Sequence, residues 1–271
     1  KKKINKMKIL KLLFILILIT KPSYALELKG DFKQGSLIIG KTNPKFQVYV
    51  QSKKLKINRE GFFIFGVSRD QTQDIIIEIR NNSSIQKVIK KVKKRKFKIQ
   101  RINGLPKRKV TPNKEDMKRI RYEGKLISKA KRANSDLSFF FKDFIRPVDG
   151  ITTGVFGSQR ILNGKPRRPH FGIDIAAPKG TKVLNSNSGR VLLAEENLFF
   201  TGGTIIIEHG HGLISIYSHL DQIFVKNGKF VKKGELIGTV GSTGRSTGPH
   251  LDFRLYCKNI PVDPDLVIKK N

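Results

Sequence analysis

The feature that most limits the fold of this chain is a series of short apolar stretches between Leu26 and Ile99. Each stretch is rich in β-branched or aromatic residues, and turn-forming residues such as Gly40 and Asn43-Pro44 separate them. Many short strands with regular turns predict a small β-sandwich. The predicted strands cover residues 36–39, 46–50, 55–57, 62–65, 75–79 and 85–92.

The chain is strongly basic, and the excess charge is uneven. Its 271 residues carry 55 Lys and Arg against 21 Asp and Glu, a net charge of +34. Residues 26–150 alone carry 32 bases and 12 acids. Such an excess can attract nucleic acid, anionic lipid or an acidic wall polymer, or it can consist of solvated lysines. We therefore expect the chemistry in the less basic C-terminal part.

The first 25 residues have the three parts of a secretory signal. Residues 1–8 are basic, residues 9–20 are apolar except for Lys11, and Ser23-Tyr24-Ala25 is a small-x-small cleavage site. The apolar stretch is short for a membrane-spanning helix, with an uncleaved anchor as the alternative. The pattern predicts export to a periplasm or the cell exterior. Cys257 is the one cysteine, which excludes an intramolecular disulfide framework.

Composition and pattern divide the chain into four segments. Residues 1–25 are the signal peptide, residues 26–100 the β-sandwich, residues 101–145 a helical connector and residues 146–271 an antiparallel β domain with a metal groove. Thr111-Pro112 favours a helix start in the connector, and apolar residues at helical spacing continue to about Ala133. The predicted fold class is therefore mostly β.

A basic run at residues 87–98 ends the sandwich segment. It is interpreted as a solvated strand face, with contact to an anionic polymer as the alternative. No nucleic acid is expected as a partner, because exported proteins rarely meet it. No histidine precedes residue 170, so this segment is expected to bind or to act as a spacer rather than to catalyse.

All five histidines lie between residues 170 and 250, and two of them stand close to an aspartate. His170 precedes Asp174 by four residues, and His250 precedes Asp252 by two. Histidine and carboxylate ligands suit Zn²⁺, and a hydrolytic zinc site keeps three of them and leaves a position for water. Pro169 and other helix breakers surround His170, so a helix is not expected there. On a straight strand His170 and Asp174 would be about 13 Å apart, so the segment must bend if both bind one ion. The two motifs are therefore candidate sources of zinc ligands, and the spacing in the second suits one ligand and one residue of the site wall.

Seven motifs of the C-terminal segment carry a resemblance to a known family. From about residue 146 to residue 265, nearly half of the chain, the sequence resembles the lysostaphin-like, LytM-type zinc metalloendopeptidases that cut peptide bonds in peptidoglycan. The motifs occur in the same order as in that family. They are Gly157-Ser-Gln-Arg160, His170-x-x-x-Asp174, Ala177-Pro-x-Gly180-Thr, Gly189-x-Val191, Gly203 to His209, Tyr217-Ser-His219-Leu and Gly241 to His250.

The resemblance implies a role for each of five residues. The family's first two zinc ligands fall on His170 and Asp174, and its two catalytic histidines fall on His219 and His250. The third ligand, normally the second histidine of a His-x-His pair, falls on Asp252. This departure leaves two alternatives, a working His/Asp/Asp zinc site and a damaged site.

The function implied by the resemblance is an exported zinc peptidase of the cell wall. Its partners would be peptidoglycan stem peptides, with anionic wall polymers as partners of the basic N-terminal part and the membrane contacted only through an uncleaved signal segment. The alternatives are a catalytically inactive LytM-like regulator that activates a cell wall amidase, and a wall-binding structural protein. Four of the five site residues match the family, which favours the enzyme.

Five further residues near these motifs have open interpretations. His209 and His211 flank a glycine between two predicted strands and are expected at a turn surface, with the substrate groove as the alternative. Arg160, Arg167 and Arg168 could hold acidic groups of a stem peptide or be solvated.

Overall fold

The computed structural model of the chain describes residues 26–269. The predicted signal segment, residues 1–25, lies outside the described residues. Within the described part, no helix combines the length and the apolar character that crossing a membrane requires.

The N-terminal part folds into seven short strands. Six of them begin and end within two residues of the predicted bounds, and the first, β1, was not predicted. They are β1 (Glu27–Lys29), β2 (Leu37–Lys41), β3 (Gln47–Val50), β4 (Lys53–Leu55), β5 (Phe62–Gly66), β6 (Ile75–Arg80) and β7 (Ile85–Lys90). Two antiparallel sheets result, in the orders β1-β2-β5 and β4-β3-β6-β7. Ile38 and Phe63 of the first sheet share a core with Val48 and Ile77 of the second. This is a small β-sandwich.

The connector holds a short strand and two helices, β8 (Ile99–Ile102), α1 (Lys107–Val110) and α2 (Lys114–Lys131). The start expected at Thr111-Pro112 is wrong, because α2 begins at Lys114 after an asparagine cap. The Asn113 side chain accepts a hydrogen bond from the Asp116 backbone N–H at 2.8 Å. The Asp116 carboxylate accepts from the Asn113 N–H at 3.4 Å, which completes a capping box.

Removing this cap should weaken α2 locally. Asn113→Ala loses the side-chain acceptor for the Asp116 N–H, so the free energy that opens the first turn of α2 should fall by about 1 kcal/mol. Native-state amide hydrogen exchange along α2 measures this change. Lys125→Ala, at an exposed position of the same helix, is the control and should leave exchange in the first turn unchanged. Unchanged exchange in Asn113→Ala would show that the cap contributes nothing.

The C-terminal part consists of twelve strands followed by a 3₁₀ turn at Pro264–Leu266. The strands are β9 (Ile151–Gly154), β10 (Gln159–Leu162), β11 (Lys165–Pro166), β12 (Ile173–Ala176), β13 (Lys182–Leu184), β14 (Gly189–Leu198), β15 (Gly202–Gly210), β16 (Leu213–Ile223), β17 (Phe230–Val231), β18 (Leu236–Val240), β19 (His250–Cys257) and β20 (Ile260–Val262). Ten of them form one antiparallel sheet, whose main order is β17-β14-β15-β16-β19-β12-β9. The predicted fold class, mostly β with a helical connector, is confirmed.

The register of three neighbouring strands decides where the predicted site residues meet. Strand β19 lies between β12 and β16 in the sheet. Asp174 on β12 stands directly opposite Asp252 on β19, and Asp252 stands opposite Ser218 on β16. Directly opposed residues of an antiparallel pair carry their side chains on the same face. The two aspartates therefore share one face, next to the strand that carries His219.

The sandwich and the C-terminal sheet share a core. Phe140 and Phe144, in the segment that leads into the C-terminal part, are buried with Leu37 and Ile64 of the sandwich. The thiol of Cys257, the one cysteine of the chain, is buried in the same cluster and packs as an apolar side chain. This shared core fixes the sandwich against the sheet that carries the candidate site.

Candidate active site

Three buried side chains form a cluster that could hold a metal ion. His170, Asp174 and Asp252 each offer a ligand atom, and these atoms lie within 4.8 Å of one another. His170 Nε2 is 3.1 Å from Asp174 Oδ1, yet neither atom has a hydrogen-bond partner among the described residues. Buried polar atoms without a partner are costly. Two of them facing each other match the arrangement of two ligands of one cation, so the residues fit a divalent metal.

The segment between His170 and Asp174 bends, as a shared ion requires, and Gly172 allows the bend to lie close to β19. A Cβ atom added at Gly172 would lie 2.5 Å from the backbone oxygen of Phe253 and from Cγ of Arg254. A side chain at this position would therefore push β12 and β19 apart. Gly172, in the middle of the His170 motif, therefore allows β19 with Asp252 to lie close to this motif.

Each carboxylate of the cluster has an arginine counter-ion. Asp174 Oδ2 accepts a hydrogen bond from Arg160 Nη2. Asp252 Oδ1 accepts from Arg254 Nε at 2.8 Å, and Oδ2 accepts from Nη2 of the same guanidinium. Burial alone would raise the pKa of the Asp252 carboxyl, but Arg254 holds that pKa well below its usual range. Both carboxylates stay ionised, and their remaining lone pairs are free to bind a cation.

Two imidazoles lie beside the cluster with their Nδ1 atoms fixed by backbone carbonyl groups. The ring centroids of His219 and His250 are 4.8 Å apart. His219 Nδ1 is 2.7 Å from the carbonyl oxygen of Thr243, and His250 Nδ1 is 2.8 Å from that of Gly248. A carbonyl oxygen can only accept, so Nδ1 carries the hydrogen in both rings. Nε2 of each ring is therefore the nitrogen that can take up or release a proton.

The backbone at His219 is held in an unusual conformation. Its φ is 66°, in the left-handed region that a residue other than glycine rarely adopts. Its N–H donates to the Thr201 carbonyl oxygen at 2.8 Å, which ties this conformation to the neighbouring loop. Burial lowers the pKa of His219 to about 4, so the ring is neutral near pH 7. A strained backbone of this kind is most often found at functional sites.

The site lies at the bottom of cavities that the connector helps to enclose. A cavity of about 310 Å³ is lined by Asp174, His219 and His250 on one side and by Ile102 and Leu105 of the connector on the other. Strand β8 reaches the site because it pairs in parallel with β10, where Gln100 stands opposite Arg160. A ligand in this cavity would therefore touch both the sheet and the connector.

The expectation for His209 and His211 is wrong, because both are buried. His209 contacts the Ser188 carbonyl oxygen and Ser215 Oγ, each at 2.8 Å. The His211 ring stacks on Phe140 with centroids 4.1 Å apart. Residues 135–139 cover this turn, with hydrogen bonds from the His211 N–H to Ser135 and from the Phe139 N–H to His209. The cover comes from a distant segment, which a local pattern does not reveal.

The arginines near the site separate into two groups. Arg160 is committed to Asp174, whereas Arg167 and Arg168 make no ion pair within residues 26–269. Sequence reasoning missed Arg254 and Arg245. The position of Arg254 two residues after Asp252 on one strand was a usable signal, since alternate residues share a face. Arg245 lies inside the Gly241 to His250 motif, but the motif does not show that its side chain lines the cavity beside His170.

Comparison with known proteins agrees with this geometry. Residues 168–264, which include all five candidate site residues, match peptidase family M23. Peptidoglycan DD-endopeptidase ShyB of Vibrio cholerae is 42% identical over 106 residues, which are 38% of this chain and 25% of that protein. DD-carboxypeptidase/endopeptidase Mpg of Neisseria meningitidis is 42% identical over 97 residues, 36% of this chain and 22% of that protein. The chain thus spans about a quarter of the length of these relatives.

A solved structure extends the similarity beyond the matched domain. A Pseudomonas aeruginosa protein described as a peptidase M23 superposes with a TM-score of 0.68 at 28% sequence identity. The superposition covers 88% of this chain and 95% of that protein. Together with the family match, this confirms the resemblance found in the sequence motifs. Residues 168–264 of the chain therefore form a domain of peptidase family M23.

Proposed function

We propose that the protein is a zinc-dependent endopeptidase that hydrolyses peptide bonds in peptidoglycan. The observation that carries the proposal is the cluster of His170, Asp174 and Asp252 beside the imidazoles of His219 and His250, with His250 Nε2 3.9 Å from Asp174 Oδ1. The names of the relatives, peptidoglycan DD-endopeptidases among them, support peptidoglycan as the substrate class.

In this proposal His170, Asp174 and Asp252 hold the ion. When bound, Zn²⁺ supplies a Lewis acid that makes a water molecule nucleophilic near neutral pH. Arg160 and Arg254 remain paired with the two carboxylates and balance their charge. Proton transfer and stabilisation of the oxyanion are then the roles of His219 and His250.

His219 and His250 move protons through their Nε2 atoms. One ring accepts a proton from the attacking water at its Nε2, and the other, with Nε2 protonated as well as Nδ1, donates a hydrogen bond to the oxyanion that develops on the peptide carbonyl. The accepted proton is then delivered to the leaving amine. The contacts from Nδ1 to Thr243 and Gly248 hold both rings in place and leave Nε2 as the nitrogen that exchanges the proton.

A digestion of purified peptidoglycan tests the proposal. The protein with added zinc should release soluble fragments, and mass spectrometry should find new peptide termini with intact glycan strands. A chelator should stop the release, and zinc should restore it. Release that is insensitive to the chelator, or no release at all, would contradict the proposed activity.

Asp252 should be a ligand even though its carboxylate is paired with Arg254. Asp252→Ala should lower zinc content after dialysis, because one of three ligands is lost. Asp252→His alone would leave the Arg254 guanidinium unpaired beside the ion, so we expect the full gain in zinc retention only when Arg254→Gln accompanies it. Elemental analysis of the four proteins decides the matter. Equal zinc in the wild type and Asp252→Ala would remove Asp252 from the ligand set and favour a non-catalytic regulator.

We further propose that the protein is exported after removal of residues 1–25. The basic start, the apolar stretch and the small-x-small site at Ala25 support this proposal. The intact mass of the exported protein should correspond to a chain that begins at Leu26. A mass that still includes residues 1–25 would rule out cleavage there.

A further inference from the structure

Positive charge is concentrated beside the candidate active site. A cavity of about 740 Å³ next to His170 is lined by six arginines. They are Arg69, which pairs with Asp70, and Arg160, Arg167, Arg168, Arg245 and Arg254. Arg160 and Arg254 neutralise Asp174 and Asp252. Arg167, Arg168 and Arg245 have no carboxylate partner in the described part of the chain, and we call these three the arginine cluster.

Contacts that leave its charge intact hold Arg245 in place. Its guanidinium lies 4.5 Å from the centroid of the Phe200 ring, and its backbone N–H donates to the Phe200 carbonyl oxygen at 2.9 Å. The loop is fixed because Gly244 packs against another turn, where an added Cβ would lie 2.4 Å from the Gly202 nitrogen. Arg245 is thus oriented by an aromatic face and by backbone, without a counter-ion.

Arg167 is also held by backbone groups and not by a carboxylate within the described residues. Its Nη2 donates to the Val110 carbonyl oxygen at 2.8 Å, and its Nη1 donates to that of Pro166 at 2.9 Å. Arg168 follows directly in the chain and is exposed on the same cavity. The Asp70 carboxylate, which also lines this cavity, accepts from Arg69 at 2.6 Å and so does not neutralise the arginine cluster.

The crowding of positive charges lowers the pKa values of two groups that line this cavity, Arg245 and Lys131. Burial, with repulsion from Arg160 and other arginines, lowers the pKa of Arg245 to about 10. Burial, with repulsion from Arg254 and Arg168, lowers the pKa of Lys131 to about 8. An anion bound in the cavity would relieve this repulsion, which makes the cavity receptive to negative charge.

We infer that the arginine cluster binds a free carboxylate of the peptide substrate close to the scissile bond, an inference that rests on the proposed function. Arg245 lines both this cavity and the one that holds His219 and His250, so a carboxylate on Arg245 lies next to the reacting groups. A planar guanidinium matches a carboxylate through two parallel hydrogen bonds. The site therefore selects acidic peptides over neutral ones.

Binding without turnover tests this inference. The full chain with His219→Asn, kept in zinc-containing buffer, is titrated in a calorimeter with N-acetyl-D-alanyl-D-alanine and, separately, with its C-terminal amide. The acid should bind about tenfold more tightly than the amide, since charge-assisted hydrogen bonds are the stronger kind. Adding Arg168→Gln and Arg245→Gln should bring the ratio close to one. Adding Arg121→Gln instead, at an exposed position of α2, should leave the ratio unchanged.

The ratio separates a specific contact from damage to the fold, because a misfolded variant would lose both ligands alike. Equal binding of acid and amide by the parent, no binding of either, or a preference that survives in the arginine variant would each overturn the inference. Failure of the unmodified protein to digest peptidoglycan would refute the proposed function instead. Because the calorimetric ratio does not depend on hydrolysis, the two failures can be told apart.

Discussion

Replacing Asp174 with alanine should leave the protein unable to retain zinc. The Asp174 carboxylate is buried at the centre of the site, 3.1 Å from His170 Nε2 and 3.9 Å from His250 Nε2. Within residues 26–269 its Oδ1 has no hydrogen-bond partner, so this oxygen is available to a metal ion while Oδ2 pairs with Arg160. With Asp174 gone, His170 and Asp252 provide two ligands, fewer than the three that a catalytic zinc site uses. Elemental analysis after dialysis should find close to one zinc per wild-type chain and close to none in the variant.

A second variant separates loss of a ligand from loss of the fold. Asp174→Ala also leaves the Arg160 guanidinium without its partner. Asp174→Asn keeps an acceptor for Arg160 but removes the negative charge, and it should lose zinc as well. Asp221→Ala removes a carboxylate that pairs with Lys179 away from the cluster, and it should keep zinc. Wild-type zinc content in both Asp174 variants would exclude this residue as a ligand.

Replacing His219 should give the opposite result, with zinc retained and turnover lost. His219 offers Nε2 to the groove, and loss of a general acid or base typically lowers the rate about 10²–10⁴-fold. His219 is not one of the three clustered ligand residues, so metal content should stay at the wild-type level. The rate of peptidoglycan digestion and the zinc content of the same preparation are the two measurements.

The backbone at His219 dictates how the variant is chosen. Because φ is 66°, alanine at this position combines the loss of the imidazole with the strain of a left-handed residue. Asparagine adopts this conformation more easily and cannot move protons near pH 7, so His219→Asn should fold as the wild type does and still lose turnover. Zinc loss in His219→Asn, or turnover near the wild-type rate, would contradict the role given to His219.

Local patterns in the sequence were sufficient for six of the seven strands of the sandwich and for the two motifs that carry the candidate ligands. Alternating apolar residues and turn residues are properties of neighbouring positions, and the strands of the sandwich follow from them. The His170 and His250 motifs are also local. Their meeting could be predicted only through the family resemblance, because it depends on the pairing of β12 with β19.

The features that the sequence did not reveal depend on contacts between distant segments. Residues 135–139 bury His209 and His211, although the turn that carries them looks exposed by itself. The arginine partners of the two aspartates follow the same rule in part. Arg254 lies two residues from Asp252, but Arg160 on β10 and Asp174 on β12 belong to different sheets. Patterns of single segments carry no information about such pairings.

The register that places Asp174 opposite Asp252 also determines at which stage of folding the three clustered residues come together. Strand β19 follows β12 and β16 in the described part of the chain, and in the sheet it lies between them. It therefore pairs with two strands that are distant from each other in sequence. A chain still emerging from the ribosome with β12 complete has two of the three clustered residues but not the third. Pairings between distant strands form late and slowly. Capture of the metal should therefore accompany the closing step of folding, so its kinetics would report when the central sheet is finished.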